Sequence, residues 1–395
     1  IYKMKALRNY LNRIKPNFEE GGKLHAFRSV FDGFETFLYV PNTTSKSGAM
    51  IHDAIDSKRI MSIVVISLMP ALLFGMYNVG YQHFKAIGSD ALLSASFFQI
   101  FVYGLMAVLP KILVSYIVGL GIEFIVAQWK KEEIQEGFLV SGILIPMIIP
   151  VDCPLWILAI AVAFSVIFVK EVFGGTGMNI FNVALAARIF MFFGYPTKMS
   201  GDAVWVSGDS MFGIGQQIDG LTVATPLGST ATTGVVPDFS MDMIYGLIPG
   251  SIGETSVIAI AIGAILLIWT GIASWKIMSS VFVGGALMAF IFNTVGPDTS
   301  MAHMPWYEHL VLGGFCFGAV FMATDPVTAA RTETGKYIYG LLIGMMAIII
   351  RVLNPGYPEG MMLAILLMNI FAPLIDYFVV QQNIKHREKR AICSK

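Results

Sequence analysis

Ile60-Met61-Ser62-Ile63-Val64-Val65-Ile66-Ser67-Leu68-Met69-Pro70-Ala71-Leu72-Leu73-Phe74-Gly75-Met76-Tyr77-Asn78-Val79 decides the fold. These twenty residues contain no Asp, Glu, Lys or Arg, and as a helix rising about 1.5 Å per residue they reach across the ~30 Å hydrocarbon core of a bilayer. Similar stretches recur, and ten apolar spans are read: 60–79, 98–128, 137–150, 155–170, 180–194, 256–273, 277–293, 309–323, 338–351 and 361–380. The 395 residues are 56% hydrophobic and 13% charged, about half the ~25% charged share of a soluble domain. A soluble globule and a disordered chain are both excluded, so the fold class is an all-α integral membrane protein. Lys+Arg and Asp+Glu balance at 26 each, so net charge gives no reason to expect a nucleic-acid partner.

Several spans are too short to cross as straight helices, and Gly and Pro interrupt them, a pattern of broken or re-entrant helices buried in protein. Pro110-Lys111 divides the second span: either 92–109 lies at the interface and 111–128 crosses, or the whole segment is one helix. Orientation follows from Lys and Arg. With the N-terminus inside, the inner segments hold ten basic residues up to Arg59, then Lys130, Lys131, Lys170, Lys276, Arg331, Lys336 and those of the tail; the outer segments hold Lys85, Lys198 and Arg351. Both termini are therefore expected in the cytoplasm. The expected organisation is a cytoplasmic segment 1–57, a first membrane half 58–194, an external loop 195–254, a second half 255–380 and a cytoplasmic tail 381–395. The first 57 residues are basic and polar, unlike a signal peptide, so the first apolar span is expected to act as its own insertion signal.

Ser57-Lys58-Arg59-Ile60-Met61-Ser62 is echoed by Ser274-Trp275-Lys276-Ile277-Met278-Ser279, and Gly137–Pro150 by Tyr339–Pro355. Two related five-helix halves account for such echoes, although each pairs segments six spans apart; shared apolar composition is the alternative. Cys153, Cys316 and Cys393 are too few for a self-contained iron–sulfur cluster, and the six histidines show no metal-ligand spacing.

Four ionisable residues at membrane depth need a reason to be there. Arg188 is read as pairing with a carboxylate first, or alternatively as attracting an anionic cofactor. Glu123 follows Gly119-Leu120-Gly121 in the second span. Asp325 and Asp376, near the cytoplasmic face, are read either as ligands of a hard cation together with carbonyl oxygens or as helix caps facing water. Glu171–Asn182 is rich in glycine but has neither Rossmann nor Walker spacing, and by its residues it is a helix junction permitting close packing. The polar loop 195–254, where Ser207 is expected to be accessible, carries Asp219-Gly220-Leu221-Thr222-Val223-Ala224-Thr225-Pro226-Leu227.

With these segments the chain resembles the family formed by the B-type subunits of sodium-translocating NADH:quinone oxidoreductases and the D-type subunits of the related Rnf complexes. The likeness runs through Lys58–Met61, Phe74–Asn78, Asp219–Leu227, Leu247–Glu254, Met322–Pro326 and Asn354–Ile365; Val223 stands where the family motif has Gly. It implies a fold similar to urea and ammonium channels, with about ten transmembrane helices in two related five-helix halves. It implies FMN joined by a phosphoester to Thr225, with Thr232 in Ala231-Thr232 a distant second candidate. It further implies a non-covalent riboflavin bordered by Gly175, Gly177, Asn179 and Asn182, with Val183 in place of the family's usual Pro. Gly119 and Glu123 fall in the region the family associates with quinone. The implied function is passage of electrons from FMN to riboflavin to quinone, coupled to sodium export across a bacterial inner membrane. The implied partners are the other subunits of one complex, including a second FMN-carrying subunit and an NADH-oxidising FAD/iron–sulfur subunit, and a flavin transferase. The polar 1–57 extension favours the sodium pump over Rnf; a flavin-free channel or secondary transporter is the reading from another class.

Overall fold

The computed structural model describes residues 2–18, 27–39, 47–48, 55–130, 137–211, 213–354 and 356–393; the rest of the polar N-terminal segment, residues 131–136, Phe212, Pro355 and the last two residues lie outside them. Among the described residues the structure is helical, with no strand. Two short helices, α1 (Tyr2–Ile14) and α2 (Arg28–Leu38), precede the apolar part and are joined by an ion pair of Lys15 and Glu35 at 2.7 Å. Among the described residues, six helices are long and apolar enough to cross a membrane. They are α3 (Ser57–Ile87), α4 (Phe97–Lys130), the α6 segment described below, α10 (Trp275–Val295), α13 (Glu333–Leu353) and α14 (Met361–Cys393). This is a multi-pass membrane protein.

The remaining apolar segments form short helices: α5 (Phe138–Met147), α7 (Val183–Gly194), α9 (Val257–Trp269), α11 (Trp306–Val311) and α12 (Phe315–Phe317). Helices of 10, 12 and 13 residues extend only about 15–20 Å, short of the hydrocarbon thickness. The predicted span 309–323 is broken at Gly313 and Gly314, both left-handed (φ 66° and 69°), a conformation that β-carbon-bearing residues avoid. Two π-helical turns interrupt the regular pattern. One, Ser165–Lys170, extends α6 (Leu155–Phe164); the other, Gly318–Met322, extends α12.

Glycine contacts set the main helix pairings. A β-carbon on Gly104 of α4 would overlap the Met76 carbonyl of α3, and one on Gly344 of α13 would overlap the Val281 carbonyl of α10. Small residues let backbones approach this closely, which is how helices pack where lipid supplies no hydrophobic drive.

One open alternative is decided and two expectations change. The second span is a single 34-residue helix with Pro110 inside it, not an interfacial helix followed by a crossing; buried Lys111 donates to the Ala107 carbonyl at 3.1 Å. Arg351 is no loop charge. It is fully buried near the end of α13, where its guanidinium donates to the carbonyls of His309 (2.6 Å), Leu312 (3.2 Å) and Glu359 (3.1 Å). Ser207 is buried at 3% exposure, because its carbonyl is held by His83 Nδ1 at 2.8 Å while the Tyr103 hydroxyl donates to the Asp209 carbonyl at 2.6 Å. A polar loop sequence did not make an open loop: Val204, Trp205 and Val206 are buried beside it.

Candidate functional site

Two clefts gather most of the singled-out residues, and the short helices run between them. The first is lined by Thr225, Leu227, Ser251, Glu254, Gly313, Gly314 and Glu359 and encloses about 440 Å³ including its mouth. Thr225 is half-buried at the start of α8 (Pro226–Thr233), and its Oγ1 accepts from the Gly228 N–H at 3.0 Å. Thr-Pro before a short helix explains the position: Thr caps the exposed N–H groups, and Pro at the first helical position has no N–H to leave unpaired. Thr225 is therefore not on a free surface turn. Thr232 lies exposed later in α8, its hydroxyl donating back to the Gly228 carbonyl at 2.9 Å.

The wall of this cleft is charged. Arg188, 2% exposed, pairs with Glu254 at 3.4 Å to both oxygens and with Glu359. Burial raises the Glu254 carboxyl above the usual carboxylate range, against the downward pull of Arg188. The sequence required a carboxylate for Arg188; that two supply it, from segments 66 and 171 residues away, is a product of the fold.

The second cleft is the larger of the two, with about 90 Å³ of free space against about 40 Å³ in the first. It brings together Lys170, Thr176, Asn179, Asn182, Thr324 and Asp325, with Val64, Leu144, Leu267 and Phe321 as apolar walls. Gly174, Gly175 and Gly177 all have positive φ (108°, 92° and 96°), so the turn that carries Asn179 back to the cleft needs its glycines. Asn179 Nδ2 donates to the Phe181 carbonyl at 2.9 Å, and its Oδ1 accepts from the Gly177 N–H at 3.3 Å. Asn182 caps α7: its Oδ1 accepts from Ala184 and Leu185 N–H at 3.0 and 3.2 Å, and its Nδ2 donates to Asp325 Oδ2 at 3.2 Å. Val183 is then the first residue of the helix, a position where proline is favoured and Val fits without loss of a bond.

Asp325 also accepts from the Val327 N–H and the Thr328 hydroxyl, each at 3.1 Å. The structure does not bring Asp376 into this cleft. Asp376 accepts from the Arg331 and Thr332 N–H groups at 2.8 and 3.0 Å and from the Thr332 hydroxyl at 2.6 Å, steadying the residue that caps α13. Gly119 presses on the Phe138 ring, and Glu123, a turn further along α4, is ion-paired with buried Lys170 on the cleft wall. Lys170 escaped the sequence reading because it was counted as a loop charge. An isolated acid inside an apolar helix was the available signal that a buried cation had to exist.

The shortness of four helical segments now has a reason. Helix α7 starts with Asn182 at the larger cleft and places Arg188 against Glu254 and Glu359, which line the Thr225 cleft; α9 starts next to Thr255 at the Thr225 cleft and reaches the larger one at Leu267. Helix α12 likewise runs from Gly314 to Phe321, and α5 lines the larger cleft before Met147 accepts from the Gly253 N–H at 2.7 Å. Helices that end in clefts need not span the full hydrocarbon core.

The model of the NQR2, RnfD, RnfE family matches residues 44–385. The B-type subunit of a Na(+)-translocating NADH-quinone reductase from Chromohalobacter salexigens is 46% identical, covering 97% of this chain and 96% of the relative. Proteins of the same name from Ectopseudomonas mendocina and Pseudomonas aeruginosa are each 44% identical, over 98% and 97% of this chain and 100% and 99% of their own lengths. With a family match covering most of the chain and relatives aligned almost end to end, the chain belongs to the NQR2, RnfD, RnfE family.

Proposed function

We propose that this protein is the B-type membrane subunit of a sodium-pumping NADH-quinone reductase, relaying electrons towards quinone in a bacterial inner membrane with both termini in the cytoplasm. The observation that carries this reading is the near end-to-end match to relatives of that name. The other subunits of the complex, among them a second FMN-carrying subunit and an NADH-oxidising FAD/iron–sulfur subunit, are its partners, and a flavin transferase modifies it. Ten apolar segments in two related five-helix halves are part of the proposal. Its support is that each half contributes one glycine-packed pair of long helices, two of the short segments between the clefts and one π-helical turn.

The residues present fit two flavins. Thr225 presents a hydroxyl at a helix N-terminus, where backbone N–H groups and the helix dipole favour a phosphate; esterification at Oγ1 leaves the Gly228 N–H beside the new phosphate. In the larger cleft Asn179 and Asn182 each keep a second amide N–H beyond the one they use, and the buried Thr176 hydroxyl has no partner among the described residues. FMN at Thr225 and riboflavin beside Gly175, Gly177, Asn179 and Asn182 would supply one-electron carriers. Gly119 and Glu123 mark the quinone region, and Asp325 and Asp376 are the carboxylates placed on the sodium path. In-gel fluorescence of the denatured chain under ultraviolet light tests the covalent flavin. A dark band from the complex as isolated would return the chain to the channel or transporter reading.

A further inference from the structure

Lys170, on the wall of the larger cleft, is 2% exposed and ion-paired with Glu123 from α4. Burying such a pair costs more solvation than a packed apolar pair would, so it is poor evidence of stability and calls for another reason. Three features point into the cleft. Lys170 lines it alongside Thr176, Asn179 and Asn182. It closes the π-helical turn Ser165–Lys170, while the other π-helical turn, Gly318–Met322, reaches the same cleft at Phe321. Such turns, inserted in otherwise regular helices, gather at functional sites. Finally, the Gly175 N–H returns to the Lys170 carbonyl at 3.0 Å, so the backbone that carries Lys170 and the glycine turn bearing Asn179 belong to one unit.

We infer that Lys170 is a positioning residue for the flavin of this cleft, its charge held by Glu123 so as to set how readily the ring accepts electrons. The inference rests on the riboflavin reading above. A reduced ring carries more negative charge than an oxidised one, so a nearby cation favours reduction, and a site screened from water strengthens the effect. Glu123 opposes it. Because Glu123 also stands in the proposed quinone region, the pair joins the two sites: a change of charge on α4 is felt at the flavin without any movement of the helices.

The test is the midpoint potential of the non-covalent flavin in the purified complex, followed by spectroelectrochemical titration, with extractable riboflavin measured alongside. Lys170→Gln should lower the potential, Glu123→Gln should raise it, and Lys170→Arg should stay close to the unaltered complex. Opposite shifts are the signature, because a purely structural pair would move both variants the same way or not at all. Full riboflavin content with unmoved or parallel potentials would overturn the inference. If Lys170→Gln empties the cleft, the double variant Lys170→Gln/Glu123→Gln, which leaves no unpaired charge, decides. A refilled cleft with a potential near that of the unaltered complex supports the charge role, and an empty one refutes it. Absence of riboflavin from the unaltered complex would instead remove the flavin reading, and this inference with it.

Discussion

Thr225 shows how one hydroxyl can serve two ends. As the cap of α8 it holds the Gly228 N–H, and as an ester it would place a phosphate against the same donor. Thr225→Ala should abolish in-gel flavin fluorescence and cost about 0.5–2 kcal/mol of local helix stability through the lost cap. Thr225→Ser keeps both the cap and the nucleophilic oxygen and should retain part of the modification. Thr232→Ala should stay fluorescent, since that hydroxyl bonds back into its own helix. Peptide mass spectrometry that finds the FMN increment on Thr232 would move the site. The two aspartates separate by surroundings: Asp325 faces the larger cleft, whereas Asp376 satisfies the donors of Arg331 and Thr332. Asp325→Asn keeps the shape and removes the charge a partly dehydrated cation needs, so half-maximal quinone reduction should require several-fold more sodium. The same measurement on Asp376→Asn sorts its roles, because an unaltered sodium dependence would assign it to the helix cap alone.

At the scale of elements, long helices pair through glycine while short ones end in clefts. Gly104→Leu drives a side chain into the Met76 carbonyl, and backbone cannot move aside as a flexible side chain can. Overpacking of this kind costs typically about 1–3 kcal/mol, so the unfolding temperature in detergent should fall. Gly121→Leu on the same helix meets open space and is the matched control; equal destabilisation by both would show that helix propensity, not the contact with α3, was at issue. The break at Gly313-Gly314 belongs to the same logic. A β-carbon on Gly313 would meet Leu227 and one on Gly314 would meet Glu254, both on the wall of the Thr225 cleft.

For the whole molecule, the uneven spread of Lys and Arg remains the argument for orientation, and burial sharpens it. Arg351, one of the three outer basic residues, is inside the protein and drops out of the count, leaving Lys85 and Lys198 on the proposed outer side. Labelling with an impermeant maleimide checks the result in intact cells, with Cys393 replaced by Ser. A cysteine at Val235, which is 66% exposed, should react, and one at exposed Lys385 should not. Reversed labelling would invert the orientation and move the Thr225 cleft to the cytoplasmic side. Ser207 is unsuited to this purpose, being buried under the hold of His83.

Membrane residence was determined by the sequence alone, because a charge-free run such as Ile60–Val79 has one low-energy environment whatever its neighbours do. The family was legible too, since its motifs are local strings of residues. So was the need of Arg188 for a carboxylate, because an unpaired charge at that depth is too costly. Which carboxylates answer it was not legible. Glu254 and Glu359 lie far along the chain, and only packing brings them to one guanidinium. The same holds for the pairing of Glu123 with Lys170 and for Asn182 meeting Asp325 across 143 residues. Ser207 and Arg351 were misread for a related reason: polarity in a sequence says what a residue can bond to, while the tertiary structure decides whether water or protein supplies the bond.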